Sequence, residues 1–215
     1  RYADSPVSGG GPGGASGSTS SIPFSFRVKS GVPPSTIVEF KIVFEDGSYD
    51  TKQIISTTLN VDYITTTIND LGFTVGASGK LGYNVVGSQS QGVGLKISGS
   101  NSVLYEMGLL AAVDAVKSSF VLDNDWESNK ELSYTYPGVE SSLDIFTSFK
   151  DDPATNSIGL TLKQKTLVWD DLDKRNFIII EYNVINTSGA PITGLNLGVF
   201  SDWDINSFNK NIAVY

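Results

Sequence analysis

The sequence predicts an all-β protein built as an antiparallel β-sandwich. Short runs in which every second residue is apolar alternate with segments rich in Gly, Ser, Pro, Asn and Asp. A strand with one face on a core requires this alternation, because successive side chains point to opposite faces of a sheet. Many short strands between turn residues are typical of a sandwich. A chain of 215 residues buries about 70% of its unfolded surface, which is enough for a sizeable core.

The clearest strands lie between residues 177 and 205. Two runs are apolar at every second position, Ile178/Ile180/Tyr182/Val184 and Leu195/Leu197/Val199. A polar connector at 186–191 separates them. We therefore predict that the two runs form a β-hairpin, each with one face on the core.

The N-terminal part contains fewer strands. Residues 1–21 are rich in Gly, Ser and Pro and are predicted to be a linker or loop. Alternation at 22–28 predicts a strand, which Pro23 restricts to an edge or a strand start. A second run at 38–44 is followed by Asp46-Gly47, a signal for a tight turn, and by a returning strand at 49–56.

The remaining strands are predicted in order along the chain. Residues 59–68 are rich in Thr and β-branched side chains, which favours extended structure. The glycine-dense stretch 72–99 predicts short strands with bulges or close backbone approaches. Residues 103–117 also fit an apolar helix stripe, but Gly108 and the neighbouring pattern favour a strand. Alternation then predicts strands at 132–136, 143–149 and 158–169.

Composition excludes several classes of function. The chain has no Cys and no His, and it carries a net charge of −8. The absence of His removes the usual general base and the Ser-His-Asp triad, so no catalytic residue and no enzymatic activity is predicted for this stretch. The acidic balance argues against nucleic acid as a partner. No apolar run is long enough for a membrane span.

Nucleotide-binding motifs are incomplete. Gly79-Lys80 resembles the end of a phosphate loop, but Thr74 and Leu81 stand where a glycine and a Ser or Thr are needed. Gly92-Val93-Gly94 lacks the third glycine of a dinucleotide fingerprint. No organic cofactor is therefore predicted.

Clustered carboxylates indicate a candidate metal site. Asp123 and Asp125 flank Asn124, and Asp202 and Asp204 flank Trp203. Oxygen donors at alternate positions can converge on Ca²⁺, so these four residues are candidate calcium ligands. The alternative is that such residues are solvated turns in which Asp caps its own backbone.

Tryptophans near the acidic residues indicate a second kind of site. Trp126, Trp169 and Trp203 could form a platform for a polysaccharide, since aromatic rings offer flat apolar surfaces. A carboxylate pair beside them could cleave glycosides, which needs two such groups at a defined separation. The alternative, which we favour, is that the tryptophans are core anchors at strand ends.

Three segments resemble a known group of proteins. They are IPFSFRVKSGVPPSTIVEFKIVFEDGSYDTKQ, KLGYNVVGSQSQGVGLKISGSNSVLYEMGLL and IIIEYNVINTSGAPITGLNLGVFSDWDI. Together they are similar to the non-catalytic β region of large secreted subtilisin-like proteases and related surface proteins that bacteria export by type IX secretion. The resemblance implies a small Ig-like segment before a larger β domain, an extracellular or outer-surface location, and a parent chain that contacts the secretion machinery or the cell surface. It transfers no catalytic residue, although the parent could be a serine protease.

These observations define the expected organisation and function. Residues 1–21 are a linker, 22–60 an Ig-like β segment of about three strands, and 61–215 a larger β-sandwich domain. Since the chain begins at Arg1 rather than Met, we expect it to be a piece of a longer precursor. The leading hypothesis is a non-enzymatic extracellular segment that spaces, stabilises or targets a larger protein. The alternative is a carbohydrate-binding module of a secreted enzyme.

Overall fold

The computed structural model describes residues 36–46, 49–59, 61–84, 91–121 and 123–205, without the side chains of 45, 46, 49 and 50. All of them belong to one compact unit, Pro33–Tyr215. The other unit, Arg1–Val32, lies outside the described residues, and so do the predicted linker at 1–21 and strand at 22–28. The predicted division between 22–60 and 61–215 stays a prediction.

All regular structure in the described residues is β-strand. None of these residues forms a helix that is long and apolar enough to cross a membrane. The strands, in chain order, are β1 (Thr36–Asp46), β2 (Tyr49–Leu59), β3 (Tyr63–Thr66), β4 (Leu71–Gly76), β5 (Leu81–Gly82), β6 (Leu95–Ile97), β7 (Ser102–Ala112), β8 (Ser118–Phe120), β9 (Glu127–Thr135), β10 (Leu143–Lys150), β11 (Leu160–Val168), β12 (Ile178–Asn186) and β13 (Asn196–Trp203).

The strands form three antiparallel sheets. A four-stranded sheet has the order β12-β11-β10-β9, and a seven-stranded sheet has the order β13-β7-β5-β4-β3, with β6 and β8 also paired to β7. Strands β1 and β2 pair only with each other in the described part, from Thr36 opposite Leu59 to Asp46 opposite Tyr49, which confirms the predicted hairpin at 38–56. The all-β sandwich predicted from alternation is confirmed.

The core lies between the two larger sheets in two clusters of buried side chains. Each cluster draws on both sheets, so folding of either sheet alone leaves its apolar face exposed to water. The first cluster contains Phe73, Val75, Leu81, Leu104, Leu132, Leu143, Ile145 and Val168. The second contains Leu109, Ala111, Val121, Trp126, Phe149, Ile158, Leu160 and Leu162.

The glycine-dense stretch forms short strands with close backbone approaches, as predicted. Strands β5 and β6 contain two and three residues. Gly82 has φ +98°, and a Cβ there would lie 2.6 Å from the carbonyl oxygen of Tyr105. Gly94 has φ +70°, and its Cβ would lie 1.9 Å from the Ser102 Oγ. Only glycine fits such positions, so these residues bring the short strands against β7.

The predicted hairpin at 177–205 is wrong. Strand β12 pairs with β11 in the four-stranded sheet, whereas β13 pairs with β7 in the seven-stranded sheet. The connector is held by the loop between β10 and β11, because Thr187 N donates to the Gly159 carbonyl at 2.8 Å and Thr187 Oγ1 donates to the same oxygen at 3.0 Å. The chain therefore crosses from one sheet to the other instead of reversing within one.

Burial along these two strands also differs from the prediction. In β12 the predicted alternation is present, with residues 178, 180, 182 and 184 half-buried and 179, 181 and 183 exposed. In β13, Leu197 and Val199 are 49% and 56% exposed, although they lie opposite the buried Ala111 and Leu109. Residues opposite each other on neighbouring strands point to the same face of the sheet, so Leu197 and Val199 point to the same face as Ala111 and Leu109. Strand β13, however, is the outermost strand of its sheet. Its apolar side chains therefore receive less cover from the other sheet.

The loop before β10 is organised by a buried carboxylate, Asp144. Its oxygens accept hydrogen bonds from Val139 N at 2.7 Å, Glu140 N at 3.0 Å and Ser141 N at 3.0 Å. The Ser141 hydroxyl donates a fourth at 2.6 Å. Burial acts to raise the pKa of Asp144, but these hydrogen bonds outweigh it and hold the pKa below the ordinary 3.8.

This geometry predicts an acid-dependent loss of stability. A carboxyl whose pKa is lower in the folded chain stabilises it above the unfolded value of 3.8. That contribution is lost as pH falls through 3.8 towards the folded pKa, since the unfolded chain then binds more protons. We expect Asp144→Asn to lower the free energy of unfolding at neutral pH and to flatten its decline below about pH 4, measured by urea unfolding across pH.

A matched variant tests the cause of that effect. Ser141→Ala keeps the carboxylate and removes the donor at 2.6 Å, so its stability and its acid slope should lie between those of the native chain and Asp144→Asn. An Asp144→Asn variant with the native slope below pH 4 would show that the carboxylate does not act in this way.

Candidate functional site

A polar pocket of about 340 Å³ lies where β6 and the start of β7 meet the end of β13. Its volume is within the range of small-molecule sites, about 300–1,000 Å³. Polar side chains make up most of its wall. The residues that line it are Tyr83, Lys96, Asn101, Ser102, Leu104, Tyr105 and Asp204.

Two tyrosines form one wall of this polar pocket. The close approach at Gly82 lets Tyr83 N donate to the Tyr105 carbonyl at 2.9 Å, which places the two residues side by side. Their ring centroids lie 6.0 Å apart, with the ring planes at 57°. The pocket therefore presents an aromatic surface that is fixed by backbone contacts.

Several polar side chains at the pocket make no hydrogen bond or ion pair within the part of the chain that the structure describes. These are the Tyr83 hydroxyl, the Lys96 ammonium, the Asn101 amide and the Asp204 carboxylate. Ser102 differs, since its Oγ accepts from Leu95 N at 3.2 Å and donates to the Leu104 carbonyl at 2.9 Å. Asp204 is held by its backbone, whose N donates to the Val103 carbonyl at 3.0 Å. The pocket therefore offers side-chain donors and acceptors to a ligand, and the backbone at Asp204 is held in place by a hydrogen bond.

A buried ion pair lies next to the pocket along β7. Lys80 and Glu106 are 7% and 3% exposed, and Lys80 Nζ lies 4.0 Å from Glu106 Oε2. Burial raises the pKa of Glu106, the Lys80 charge opposes this rise, and the charge of Asp202 adds to it. Asp202 lies opposite Glu106 across β7 and β13. Glu106 does not line the pocket, whose one carboxylate is Asp204.

The four candidate calcium ligands lie in two separate places. Asp202 and Asp204 are at the end of β13, where Asp202 is opposite residue 106 of β7. Asp123 and Asp125 follow β8, whose Phe120 is opposite residue 110. Four residues along a strand span about 13 Å, so the structure does not bring the two pairs into one site.

Of the four candidate calcium ligands, Asp125 has the geometry of an Asp that caps a turn. Asp125 Oδ2 accepts a hydrogen bond from Phe120 N at 2.9 Å, as expected of an Asp that closes its own turn. Among the residues the structure describes, no group of three or more Asp or Glu is placed to hold a metal ion. Calcium binding stays a prediction, which thermal melting with added calcium can test.

The three tryptophans do not form one platform. Trp126 is 5% exposed, donates from Nε1 to the Leu109 carbonyl at 3.2 Å, and packs edge-on against Phe149 with ring centroids 5.5 Å apart. The hypothesis that it binds sugar is therefore wrong, because it is a core anchor. Trp169 is half-buried against Phe177. Trp203 is 37% exposed and donates to the Ser201 hydroxyl.

Sequence reasoning missed Tyr83, Lys96, Asn101 and Tyr105. They come from separate short segments that only the pairing with β7 brings together. One signal was available, since the glycines around them indicated close backbone approaches. Asp204 is the one pocket residue that the sequence pattern indicated as a candidate site residue.

The fold and the pocket define an antiparallel β-sandwich with a polar cleft at one end of its larger sheet. Comparison with family models, curated proteins and solved structures finds no match for the chain.

Proposed function

We propose that the chain is a non-enzymatic β-sandwich segment that spaces, stabilises or targets a larger secreted or surface protein. The observation that carries this proposal is that buried carboxylates bind groups of the chain itself. Asp144 and Asp151 each accept hydrogen bonds from four donors, and six of these eight donors are backbone N–H groups at 139–141 and 158–160, on either side of β10. Such carboxylates hold loops rigid and are not available to a substrate.

The proposed location and partners follow from the resemblance of the three sequence segments. It supports export by type IX secretion, an extracellular or outer-surface location, and contact with the secretion machinery or cell surface through the parent chain. An immunoblot of secreted and cell-bound fractions, with the parent expressed with and without residues 61–215, tests this. Equal export and equal surface retention of both forms would contradict the targeting role.

An activity assay tests the non-enzymatic part of the proposal. We expect the purified chain to cleave neither peptide nor chromogenic glycoside substrates. A second pocket, of about 320 Å³, is lined by two carboxylates, Asp62 and Glu131, and is therefore a candidate place for an acid-base pair. Glycoside cleavage that is lost in Asp62→Asn and Glu131→Gln, but kept in Asp202→Asn, would overturn the proposal.

Carbohydrate binding is a second candidate function, favoured by the polar pocket rather than by the tryptophans.

A further inference from the structure

We propose that the polar pocket binds one unit of a neutral carbohydrate. This deepens the second candidate function and does not depend on the proposed spacer role, so a failure of sugar binding leaves that role untouched. The pocket is distinct from the tryptophan platform that the sequence suggested, since none of the three tryptophans lines it.

The pocket contains unused hydrogen-bonding capacity. Elsewhere in the described chain, the carboxylates of Asp144, Asp125 and Asp114 accept hydrogen bonds from backbone N–H groups. Asp204 accepts no such bond among the described residues, and Lys96 has no ion-pair partner there. Polar groups that are fixed in a pocket without partners are suited to a ligand that supplies them.

The charges in the pocket are balanced. Its lining holds one cation, Lys96, and one carboxylate, Asp204. A ligand with many hydroxyl groups can donate to the carboxylate and accept from the ammonium without carrying a charge of its own. A uronic acid or a phosphate is attracted by Lys96 but repelled by Asp204, so the two opposite charges give an anion no net attraction.

The pair of tyrosine rings suits a sugar as well. A sugar ring has an apolar face of C–H groups besides its hydroxyls, and an aromatic ring offers a matching apolar surface and a polar tip. Tyr83 and Tyr105 provide two such rings in the lining that also holds the polar groups. A volume of about 340 Å³ is near the lower end of the range for ligand pockets, which fits a single sugar unit.

The test is a titration of the full chain followed by NMR chemical shifts. The probes are glucose, mannose, galactose and N-acetylglucosamine, with galacturonate and glycine as a charged and a zwitterionic comparator. We expect at least one neutral sugar to bind at millimolar concentration and to shift the signals of Tyr83 and Lys96, while the comparators do not. Binding of glycine or galacturonate alone would overturn the proposal, as would no shift with any sugar at tens of millimolar.

Matched variants assign the binding to this pocket. Asp204→Asn should weaken the affinity about tenfold, since it replaces a charged hydrogen-bond acceptor. Asp202→Asn changes the neighbouring acidic residue outside the pocket and should bind as the native chain does. Thermal melting of each variant checks folding, and Lys96→Gln serves as a second pocket variant if Asp204→Asn does not fold. Native affinity in both pocket variants, or loss of binding only in Trp203→Ala, would place the sugar elsewhere.

Discussion

Replacing Asp151 by Asn is expected to lower the free energy of unfolding by about 3 kcal/mol. Its carboxylate is fully buried. It accepts hydrogen bonds from Ile158 N at 2.6 Å, Leu160 N at 2.7 Å and the Ser119 hydroxyl at 3.0 Å. An Asn side chain keeps one acceptor oxygen but points an NH₂ group at donors, so at least one buried N–H loses its partner.

The neighbouring aspartate provides a matched control for this change. Asp152 directly follows Asp151, but its side chain is 56% exposed and its ion pair with Lys150 lies at the surface. Exposed ion pairs contribute little to stability, so Asp152→Asn should unfold at nearly the native urea concentration. Urea unfolding followed by tryptophan fluorescence measures both variants. Equal losses in the two would show that the hydrogen bonds of Asp151 do not hold the loop between β10 and β11.

The second large effect is expected from Gly79→Ala, with a loss of about 3 kcal/mol in the free energy of unfolding. Gly79 has φ +82°, and a Cβ there would lie 2.3 Å from the ring of Phe149. Phe149 is 1% exposed and belongs to the second core cluster. The ring has little space to move, so the substitution combines backbone strain with overpacking between the two sheets.

Two further variants separate these causes. Gly189 has φ +78° with nothing within 4 Å of its Cβ position, so Gly189→Ala should cost only the backbone strain, about 1 kcal/mol. In a chain that already carries Phe149→Leu, Gly79→Ala should lower the free energy of unfolding by less than it does in the native chain. If Gly189→Ala costs as much as Gly79→Ala, or if the two losses at 79 and 149 simply add, the contact with Phe149 does not explain the effect.

The sequence predicted strands well where one face of the strand is buried. Residues 143, 145, 147 and 149 alternate in sequence, and all four are buried in β10, although residues 144 and 148 on the other face are buried as well. The hairpin at 38–56 was predicted from its Asp-Gly turn and is confirmed by the pairing of β1 with β2. In both cases the information is local, because alternation and turn residues act over a few positions.

The same reasoning failed where pairing is long-range. The alternation of β12 and β13 is consistent with many partner strands, and their closeness in sequence favoured a hairpin. Tertiary structure placed them in different sheets, with residue 199 opposite residue 109 and residue 182 opposite residue 164. Alternation predicts that one face of a strand is apolar. It does not predict which strand pairs with that strand, or how fully the opposite sheet covers its apolar face.

The residues of the candidate site could be brought together only by long-range pairing, which local sequence patterns do not predict. Composition alone determined that no His or Cys chemistry is available, and alternation with turn residues determined an all-β sandwich with glycines at close backbone approaches. Only the tertiary structure decided that Trp126 is buried, that Asp202 and Asp204 lie far from Asp123 and Asp125, and that Asp204 shares a pocket with Tyr83 and Tyr105. The physical reason is that the pocket is formed where segments 83, 96–105 and 204 meet around β7, and contacts between such distant segments depend on the register of whole strands.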